Sequence, residues 1–574
     1  MYSSKKNVQI LVALLKEHGV RQVVISPGSR NMSIVSSVET DPFFTCWSVV
    51  DERSAAYFAI GISIAQDCPV MLSCTSGQAT RNYIPGMTQA FYSGAPLVVV
   101  TADWAPRKIG QGVMQALNQL SLPADATKIS VSLPVVKDKD DAKDCARLVN
   151  EALLELHHHG SGPVHINVPI EEHWDGGTNS LLQAKIIRRF GHGDSLPDIQ
   201  GRRIMIAVGE HKPFGPEQET ALSDFAERYD AVVYTNHLSN YHGKNVVNAG
   251  LLVESIGRFE KKAYHPDLLI SIGGQLGDYD FDAMVRRLKC DHWRVNEDGE
   301  IRDTYGQLTN VFELREQEFF SLYLGEEKID TGGKKTFFDL WSSTKTVVKV
   351  PKNLPLSQTS VAAIVAPLIP RESVIHFGIL SSLRNWSMFN LDASIKCFSN
   401  VAAFGIDGSM STFLGHASAV DDLCFLVIGD LSFFYDMNSI GIRGIKSNAR
   451  ILLINNGGGG EFRQYSHSAQ RYFGEAANAH IAAAGHFGSA AEWVQSMGWG
   501  YSGAKTEHCL VDSLDWFTGL SDVPLLLEVF TTMEGDSDAL RLFRQLNSTE
   551  SFEKRSGKKL PPKAKALAKK TFGA

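Results

Sequence analysis

The sequence lacks cysteine pairs with the spacing of metal ligands. Its eight cysteines, at positions 46, 68, 74, 145, 290, 397, 424 and 509, include no CxxC pair, and zinc sites and thiol redox motifs are built on such pairs. Several lie in apolar runs, such as Cys424 in LCFLVIG. We therefore expect reduced cysteines that are packed in the core.

The sequence also lacks a long apolar run. No stretch reaches the roughly 18 apolar residues that a membrane-spanning helix needs. The basic start MYSSKKNVQILVALLKEHG is interrupted by Lys16, Glu17 and His18, which is more typical of an amphipathic helix than of a signal peptide. We expect no transmembrane segment and, by default, a cytoplasmic protein.

A basic surface for nucleic acid is absent as well. The formal net charge is -7, whereas nucleic-acid-binding proteins neutralise phosphates with a basic face. With 44% hydrophobic and 21% charged residues, the composition is that of a globular protein, so we expect a small-molecule partner. The exception is the basic tail at 551–574, which we expect to be solvated; contact with an anionic membrane surface or an acidic partner is the alternative.

Apolar runs typical of strands alternate with helical patterns in three parts of the chain, at 20–103, 203–298 and 374–530. This alternation is typical of a parallel sheet with crossover helices. A chain of 574 residues is also too long for one core. The predicted fold class is α/β, with three domains at 1–180, 200–328 and 350–548, each a mainly parallel sheet flanked by helices.

Two predicted strands end in residues that suit a metal ion. CFLVIGD ends in Gly429-Asp430, and RILLI, 26 residues further on, ends in NNGGGG at 455–460. The carboxyl ends of adjacent parallel strands meet where α/β folds bind ligands, and the N-terminus of a following helix suits a diphosphate. Mg²⁺ prefers oxygen ligands, which Asp430, Asn456 and Gly458 would supply. A lone GD is more typical of a simple turn; the second strand end favours a metal and diphosphate site.

A second acidic position lies at 51–53, where Asp51, Glu52 and Arg53 precede an Ala-rich apolar helix pattern. Alone, such a pair is typical of favourable charges at a helix N-terminus. Another group of polar residues, His157 to His159, resembles a metal cluster. Consecutive histidines cannot easily all face one ion, so we interpret them as the end of a helix.

The motifs together carry a family resemblance. GDLSFFYDMNSI followed by INNGGGGEF is similar to the magnesium motif of thiamine diphosphate (ThDP) enzymes. With Leu431 where most have a second glycine, it resembles the 2-succinyl-5-enolpyruvyl-6-hydroxy-3-cyclohexene-1-carboxylate (SEPHCHC) synthases of the menaquinone pathway. SPGSRN at 26–31, DER at 51–53, TSGQATRNY at 75–83, PLVVVTAD at 96–103 and QALNQ at 115–119 follow the order of that family's pyrimidine-binding domain. The resemblance covers nearly the whole chain.

This resemblance implies a ThDP-binding fold with pyrimidine, middle and diphosphate domains, and ThDP with Mg²⁺ or Mn²⁺ as cofactors. Since the middle domain shows no GxGxxG after a strand, no FAD is expected. Glu52 is then the glutamate that activates the cofactor, and Ile406 in FGIDGSMST lies under the cofactor's bend, with a cap around Asp407-Gly408 as the alternative. The implied cofactor-binding residues are Gly429, Asp430, Leu431, Ser432, Ile406, Asn456 and Gly458.

The resemblance also implies decarboxylation of a 2-oxo acid donor and transfer of the acyl carbanion to an acceptor, in a site shared between two subunits of a homodimer or homotetramer. In the family the donor is 2-oxoglutarate and the acceptor isochorismate, so the pocket needs arginines that bind carboxylates in bidentate fashion. The substrate-side candidates are Ser29, Arg30, Trp104, Gln115, Arg384 and Phe462.

The substrate pocket departs from the family pattern. The family's TADR reads TADW, giving Trp104, and SNRGASGIDG reads SNVAAFGIDG, giving Val401 and Phe404. The Asn-Ser pair expected before Arg384 is Ile379-Leu380. Each lost arginine or polar group removes a partner that a buried charge requires, which favours a less acidic substrate pair. An authentic SEPHCHC synthase and a catalytically silent ThDP-binding paralogue are the alternatives, and the intact Glu52 counts against the latter.

Overall fold

The computed structural model of the chain describes residues 1–171, 174, 176–248, 262–325, 337–343, 349–465, 467–482 and 485–547. The predicted basic tail at 551–574 lies outside these residues. The chain divides into two compact units. The first unit comprises Met1–Leu196 and Asp298–Glu313, and the second comprises Pro197–Glu297 and the residues from Leu314 onward.

The first unit is built on a parallel sheet of six strands in the order β3-β2-β4-β5-β7-β6. These strands are β2 (Gln22–Ile25), β3 (Thr45–Ser48), β4 (Val70–Cys74), β5 (Leu97–Asp103), β6 (Ser130–Ser132) and β7 (Val164–Pro169). Its helices are α1 (Lys6–Glu17), α2 (Met32–Glu39), α3 (Glu52–Gln66), α4 (Gln78–Ser93) and α5 (Lys139–Glu155). The central strands are buried along their whole length, as expected where helices cover both faces of a sheet.

Two small strand pairs complete the first unit. Strand β1 (Tyr2–Ser3) pairs antiparallel with β8 (Gly177–Thr178). Strand β9 (Arg188–Phe190) pairs parallel with β15 (Leu308–Phe312), which joins the chain after residue 298 to this unit.

The second unit contains two parallel sheets. In one, the strands β10 (Ile204–Val208), β11 (Val232–Thr235), β12 (Val246–Asn248), β13 (Leu268–Ile272) and β14 (Asp291–Val295) lie in the order β12-β11-β10-β13-β14. The helices of this part are α6 (Pro216–Arg228), α7 (Tyr279–Val285), α8 (Glu316–Leu324) and α9 (Phe337–Ser342).

The other sheet has six parallel strands in the order β17-β16-β18-β19-β21-β20. They are β16 (Val374–Phe377), β17 (Lys396–Ser399), β18 (Cys424–Gly429), β19 (Ala449–Asn455), β20 (Gly500–Ala504) and β21 (Leu525–Phe530). The helices are α10 (Gln358–Val365), α11 (Ser381–Trp386), α12 (Ser409–Ala419), α13 (Asp430–Tyr435), α14 (Ser468–Phe473), α15 (Ala491–Ser496), α16 (Glu507–Thr518) and α17 (Met533–Leu546). Because β18 and β19 are neighbours, their carboxyl ends lie side by side.

The predicted α/β class with mainly parallel sheets is confirmed. The domain boundaries at 1–180, 200–328 and 350–548 stay predictions. All eight cysteines are free thiols, and five of them are buried. The expectation of core packing is wrong for Cys509, which is exposed because it lies on the outer face of α16.

The described helices differ from membrane spans in length or in polarity. None of them is both long enough and apolar enough to cross a bilayer.

Candidate active site

Asp430 is the first residue of α13 and directly follows β18. Its Oδ2 atom accepts hydrogen bonds from three consecutive backbone amides, those of Asn456 (3.1 Å), Gly457 (2.8 Å) and Gly458 (3.0 Å). These amides belong to the turn after β19, the strand paired with β18. The structure thus brings together the two strand ends that the sequence singled out.

The Asp430 carboxylate is almost completely buried, with 3% of its surface exposed. Burial raises its pKa, while the Leu431 amide, His486 and the Gly457 amide act in the opposite direction. His486 Nε2 lies 3.1 Å from Oδ2, and the Leu431 amide donates to Oδ1 at 2.7 Å. Among the described residues, this buried carboxylate contacts backbone amides and one histidine, and such a group suits a site that receives a metal ion.

Asn456 is oriented by a residue that the sequence did not single out. Its Nδ2 donates to Asp536 Oδ2 at 2.8 Å, so its amide oxygen is the atom directed to the amide of Gly458, at 3.2 Å. Asp536, near the start of α17, is half-buried, and desolvation raises its pKa. In the sequence it is one acidic residue in the first turn of a helix, a position too common to indicate a site.

The oxygen atoms gathered here fit the predicted metal. A carboxylate from Asp430, an amide oxygen from Asn456 and a main-chain carbonyl from Gly458 are the hard ligands that Mg²⁺ and Mn²⁺ prefer. The Gly458 carbonyl accepts the Gly460 amide at 3.0 Å, which fixes the direction of this turn.

Ile406 and Ser432 are joined by a direct contact. The Ser432 hydroxyl donates to the carbonyl of Ile406 at 2.5 Å, and Ile406 is partly buried against the core of this sheet. The segment before α12 therefore lies against the first turn of α13. Leu431 lies in the same turn and is half-buried.

In the first unit, Glu52 is the first residue of α3. The helix begins there because Asp51 caps it, accepting the Ser54 amide at 2.8 Å. The Glu52 carboxylate accepts a hydrogen bond from Asn82 Nδ2 at 3.1 Å. Since α3 follows β3 and α4 follows β4, both residues lie at the carboxyl edge of the first sheet, where α/β folds bind ligands.

Three further motifs of the first unit meet at this edge. A Cβ atom at Gly28 would lie 2.4 Å from Thr75 Cβ, so the SPGSRN turn requires glycine to pack on the TSGQ segment. The Thr75 hydroxyl accepts the Arg30 amide at 3.3 Å, and Gln119 in QALNQ accepts the Gly77 amide at 2.7 Å. Short motifs far apart in the sequence thus form one surface.

Arg30 and Trp104 form a stacked pair. The guanidinium carbon lies 3.3 Å from the centre of the Trp104 ring, and Nη1 donates to the carbonyl of Ile170 at 2.9 Å. Arg30 is buried, and burial lowers its pKa. The neighbouring Ser29 is exposed. Trp104, which stands where the family has arginine, therefore covers Arg30.

Arg384 is held by a carboxylate of its own unit. Its Nη1 and Nη2 atoms lie 2.8 Å and 3.2 Å from the two oxygens of Glu461. Burial lowers the pKa of Arg384, but the Glu461 charge more than offsets this, so the net shift is upward. The pair lines a cavity of ≈ 240 Å³ together with Leu383, Gln464 and His467. Sequence reasoning missed Glu461, although a carboxylate directly after four glycines was visible.

Backbone strain marks several of the substrate-side positions. Gln115, Leu380 and Phe404 have φ of +61°, +62° and +57°, a region that costs a non-glycine residue on the order of 1–3 kcal/mol and that is enriched at functional sites. Leu380 immediately precedes the helix that carries Arg384. Phe462, next to Glu461, is half-buried, with its ring 5.3 Å from that of His467.

Known proteins resemble this chain over most of its length. Residues 5–122 match the family model of the thiamine pyrophosphate enzyme N-terminal TPP binding domain. The chain is 36% identical to the 2-succinyl-5-enolpyruvyl-6-hydroxy-3-cyclohexene-1-carboxylate synthase of Phocaeicola vulgatus, over 94% of this chain and 98% of that protein. It is 34% identical to the enzyme of the same name from Bacteroides thetaiotaomicron and 32% identical to that from Flavobacterium psychrophilum, with the same two shares of the chains covered.

Proposed function

The chain belongs to the 2-succinyl-5-enolpyruvyl-6-hydroxy-3-cyclohexene-1-carboxylate synthase family, and we propose that it decarboxylates a 2-oxo acid and transfers the remaining acyl group to an acceptor, with ThDP and a divalent metal. When bound, ThDP supplies a carbon nucleophile for the keto group and an acceptor for the electrons released with carbon dioxide. The observation that carries the proposal is the Asp430 carboxylate at the amides of 456–458, where an oxygen-ligand metal can be held beside a helix N-terminus.

The site residues of the second unit have distinct roles in this proposal. Asp430, Asn456 and Gly458 hold the metal, and Asp536 keeps the Asn456 amide oxygen turned toward it. The turn of Gly429, Leu431 and Ser432 receives the diphosphate, while Ile406 supports the bend of the cofactor.

Glu52 serves the opposite end of the cofactor. We propose that its carboxylate binds the ring nitrogen of the aminopyrimidine and so favours the form that removes the reacting proton. Asn82 holds one carboxylate oxygen at 3.1 Å and thereby orients the group. General acid–base contributions of this kind amount to roughly 10² to 10⁴ in rate.

The test of this role is Glu52→Gln in the full-length enzyme. ThDP and Mg²⁺ should bind with nearly unchanged affinity, while exchange of the thiazolium C2 proton, followed by NMR, should slow by at least about 100-fold. Asp51→Asn is the matched control, because asparagine is also a good N-cap and only the neighbouring carboxylate is lost. Unchanged C2 exchange in Glu52→Gln would refute the assignment.

The substrate side of the proposal is a donor and acceptor that are less acidic than 2-oxoglutarate and isochorismate. Two arginines could bind substrate carboxylates: Arg30 lies under Trp104, whereas Arg384 is already paired with Glu461. A carboxylate that entered this pocket would lose its hydration and would have to displace Glu461 to gain a bidentate partner.

Identity of about a third with synthases of one name, over almost the whole chain, favours the alternative that the substrates are those of the family. Carbon dioxide release from a panel of 2-oxo acids, with and without isochorismate, separates the two. Preference for monocarboxylic acids supports our proposal, and activity with 2-oxoglutarate alone contradicts it. Release from no acid, with ThDP bound, would indicate a silent paralogue.

A variant of Glu461 tests whether this residue sets the preference between 2-oxoglutarate and monocarboxylic acids. Glu461→Gln removes the charge that occupies Arg384, so kcat/KM for 2-oxoglutarate relative to a monocarboxylic acid should rise about tenfold, the value of one charge-assisted hydrogen bond. Glu475→Gln, an exposed position in the following 3-10 turn, is the matched control. An unchanged ratio in Glu461→Gln would show that Glu461 does not set the preference.

A further inference from the structure

The histidines 157–159 follow α5, which ends at Glu155, as predicted. The three rings do not share one direction. His157 Nδ1 lies 2.9 Å from the Ser161 hydroxyl, whereas His158 Nε2 and His159 Nε2 lie 3.0 Å and 3.2 Å from the two oxygens of Glu313. The three histidines thus do not all face one point, as expected, but two of them do, and His159 has a φ of +51° between them and the following glycine.

The second ring nitrogen of His158 is also engaged. Its Nδ1 lies 2.9 Å from Glu155 Oε1, and the same oxygen accepts from Arg189 Nη2 at 2.8 Å. A neutral imidazole carries one N–H, which cannot serve two carboxylates. With that hydrogen directed to Glu155, Nε2 presents its lone pair toward Glu313, as the nitrogen of a metal-ligating histidine does. A carboxylate on the far nitrogen is the usual partner of a metal-bound histidine.

The position of Glu313 is set by the backbone around it. Glu313 directly follows β15, and its side chain packs on Gly299, which has a φ of +59° and where a Cβ atom would lie 2.8 Å from Glu313 Oε2. Arg189 Nε donates to the Gly299 carbonyl at 2.9 Å. Arg189 therefore fixes both Glu155 and the segment beneath Glu313, so the cluster rests on the ends of a helix and a strand.

The spacing of these atoms suits a small transition-metal ion. All three ligand atoms lie within 4.8 Å of one another. Around tetrahedral zinc, with bonds of 2.0–2.1 Å, neighbouring ligand atoms are about 3.3 Å apart. The distances from His158 Nε2 and His159 Nε2 to their respective oxygens of Glu313, 3.0 Å and 3.2 Å, are close to this value. The cluster opens into a cavity of ≈ 580 Å³, through which an ion can enter. The ammonium of Lys128 contacts the carbonyls of His158 and Gly160, so it holds the turn.

We propose that His158, His159 and Glu313 bind a transition-metal cation of the Zn²⁺ class. Nitrogen ligands select such an ion over Mg²⁺, which distinguishes this site from the oxygen ligands at Asp430. The ion joins the turn after α5 to the end of β15, and it is independent of the reaction proposed above.

The test uses the full-length enzyme saturated with ThDP and Mg²⁺, so that the Asp430 site is filled. Zn²⁺ is titrated by calorimetry, and Co²⁺ is followed by its visible absorption. We expect one bound equivalent and a Zn²⁺-dependent rise in the thermal midpoint, since an ion that binds only the folded chain stabilises it. His159→Gln and Glu313→Gln should weaken binding by at least about tenfold, and His157→Gln, the matched control, should leave it unchanged.

The outcomes separate the alternatives. His159 is 70% exposed, so its variant tests the site even if Glu313→Gln fails to fold. Equal binding by wild type, His159→Gln and His157→Gln would overturn the proposal. Absence of Zn²⁺ binding in wild type would also overturn the proposal. Glu52→Gln should bind Zn²⁺ as wild type does, so failure of the proposed reaction would not affect this result.

Discussion

At the scale of single residues, Asp536 decides which atom Asn456 presents to the metal. Its carboxylate accepts hydrogen bonds from Asn456 Nδ2 at 2.8 Å and from the backbone amide of Gln358 at 2.8 Å. In Asp536→Asn the new amide group can face Asn456 as a donor, and the amide oxygen of Asn456 then loses its fixed direction. We expect Mg²⁺ affinity, measured by calorimetry with ThDP present, to fall roughly 10- to 100-fold, as for other residues that orient metal ligands.

The neighbouring Asp538 provides the control for this prediction. It lies on the same helix, contacts Tyr465 and Arg541, and its side chain is 40% exposed, so Asp538→Asn should not change Mg²⁺ affinity. Equal affinities in both variants and in wild type would show that Asn456 is oriented without Asp536.

His165 gives the protein a pH-dependent stability. It is completely buried in β7, between the hydroxyls of Thr101 (2.8 Å) and Ser130 (2.7 Å), and burial lowers its pKa from 6.5 to about 4. Above the pKa that the ring has in the unfolded chain, His165 is neutral in both the folded and the unfolded state. Its full contribution to the free energy of unfolding is present there. As the pH falls from about 6.5 to about 4, the unfolded chain takes up the proton first. Near pH 5 the free energy of unfolding is therefore lower by about 2 kcal/mol than at neutral pH.

Thermal midpoints of wild type and His165→Gln, compared between about pH 7.5 and pH 5, check this prediction. Glutamine keeps a hydrogen-bonding side chain but does not titrate, so the variant should lose less stability over this range than wild type. The exposed His508, replaced by glutamine, serves as control. Parallel midpoint curves for wild type and His165→Gln would contradict the prediction.

At the scale of elements, Glu528 joins the ends of three strands. This carboxylate on β21 is fully buried and accepts bonds from Asn455 on β19 (2.7 Å), Tyr501 on β20 (2.8 Å) and Ser489 before α15 (2.6 Å). Glu528→Gln replaces one acceptor oxygen by a donor, which leaves buried donors facing each other. We expect the free energy of unfolding in urea to fall by about 2–3 kcal/mol.

The exposed Glu492 on α15 allows a matched control, Glu492→Gln, with no expected change. If Glu528→Gln is as stable as wild type, the hydrogen bonds at this carboxylate do not hold the strand ends together. Since Asn455 precedes the metal turn, the same variant should also weaken Mg²⁺ binding.

The elements also show what the sequence could predict. Strands such as CFLVIG and RILLI are apolar on both faces because helices cover both sides of a parallel sheet, so their ends, and with them Asp430 and Asn456, were predictable. Asp536 and Glu461 could not be predicted, because an acidic residue on a helix or after glycines acquires its partner only when distant segments pack. The pair of His158 and Glu313, which are 155 residues apart, was hidden for the same reason.

At the scale of the whole molecule, the proposed machinery is divided between the two units, with Glu52 in the first and Asp430 in the second. The family resemblance implies that these residues meet across two subunits of a homodimer or homotetramer, which predicts complementation between inactive chains. Glu52→Gln and Asp430→Asn, each inactive alone, are co-expressed with different affinity tags, and the doubly tagged species is isolated. In a shared-site dimer it contains one doubly altered site and one wild-type site.

The doubly tagged dimer should therefore recover about half of the wild-type carbon dioxide release, and an unselected mixture about a quarter, because random pairing makes half of the dimers mixed. Wild type co-expressed with tagged wild type sets the upper limit, and the two variants mixed after purification set the lower one. If both residues served a site within one chain, the mixed dimer would contain no intact site and would be inactive. Restored activity thus assigns Glu52 and Asp430 to different subunits of one site, a conclusion that neither variant alone can give.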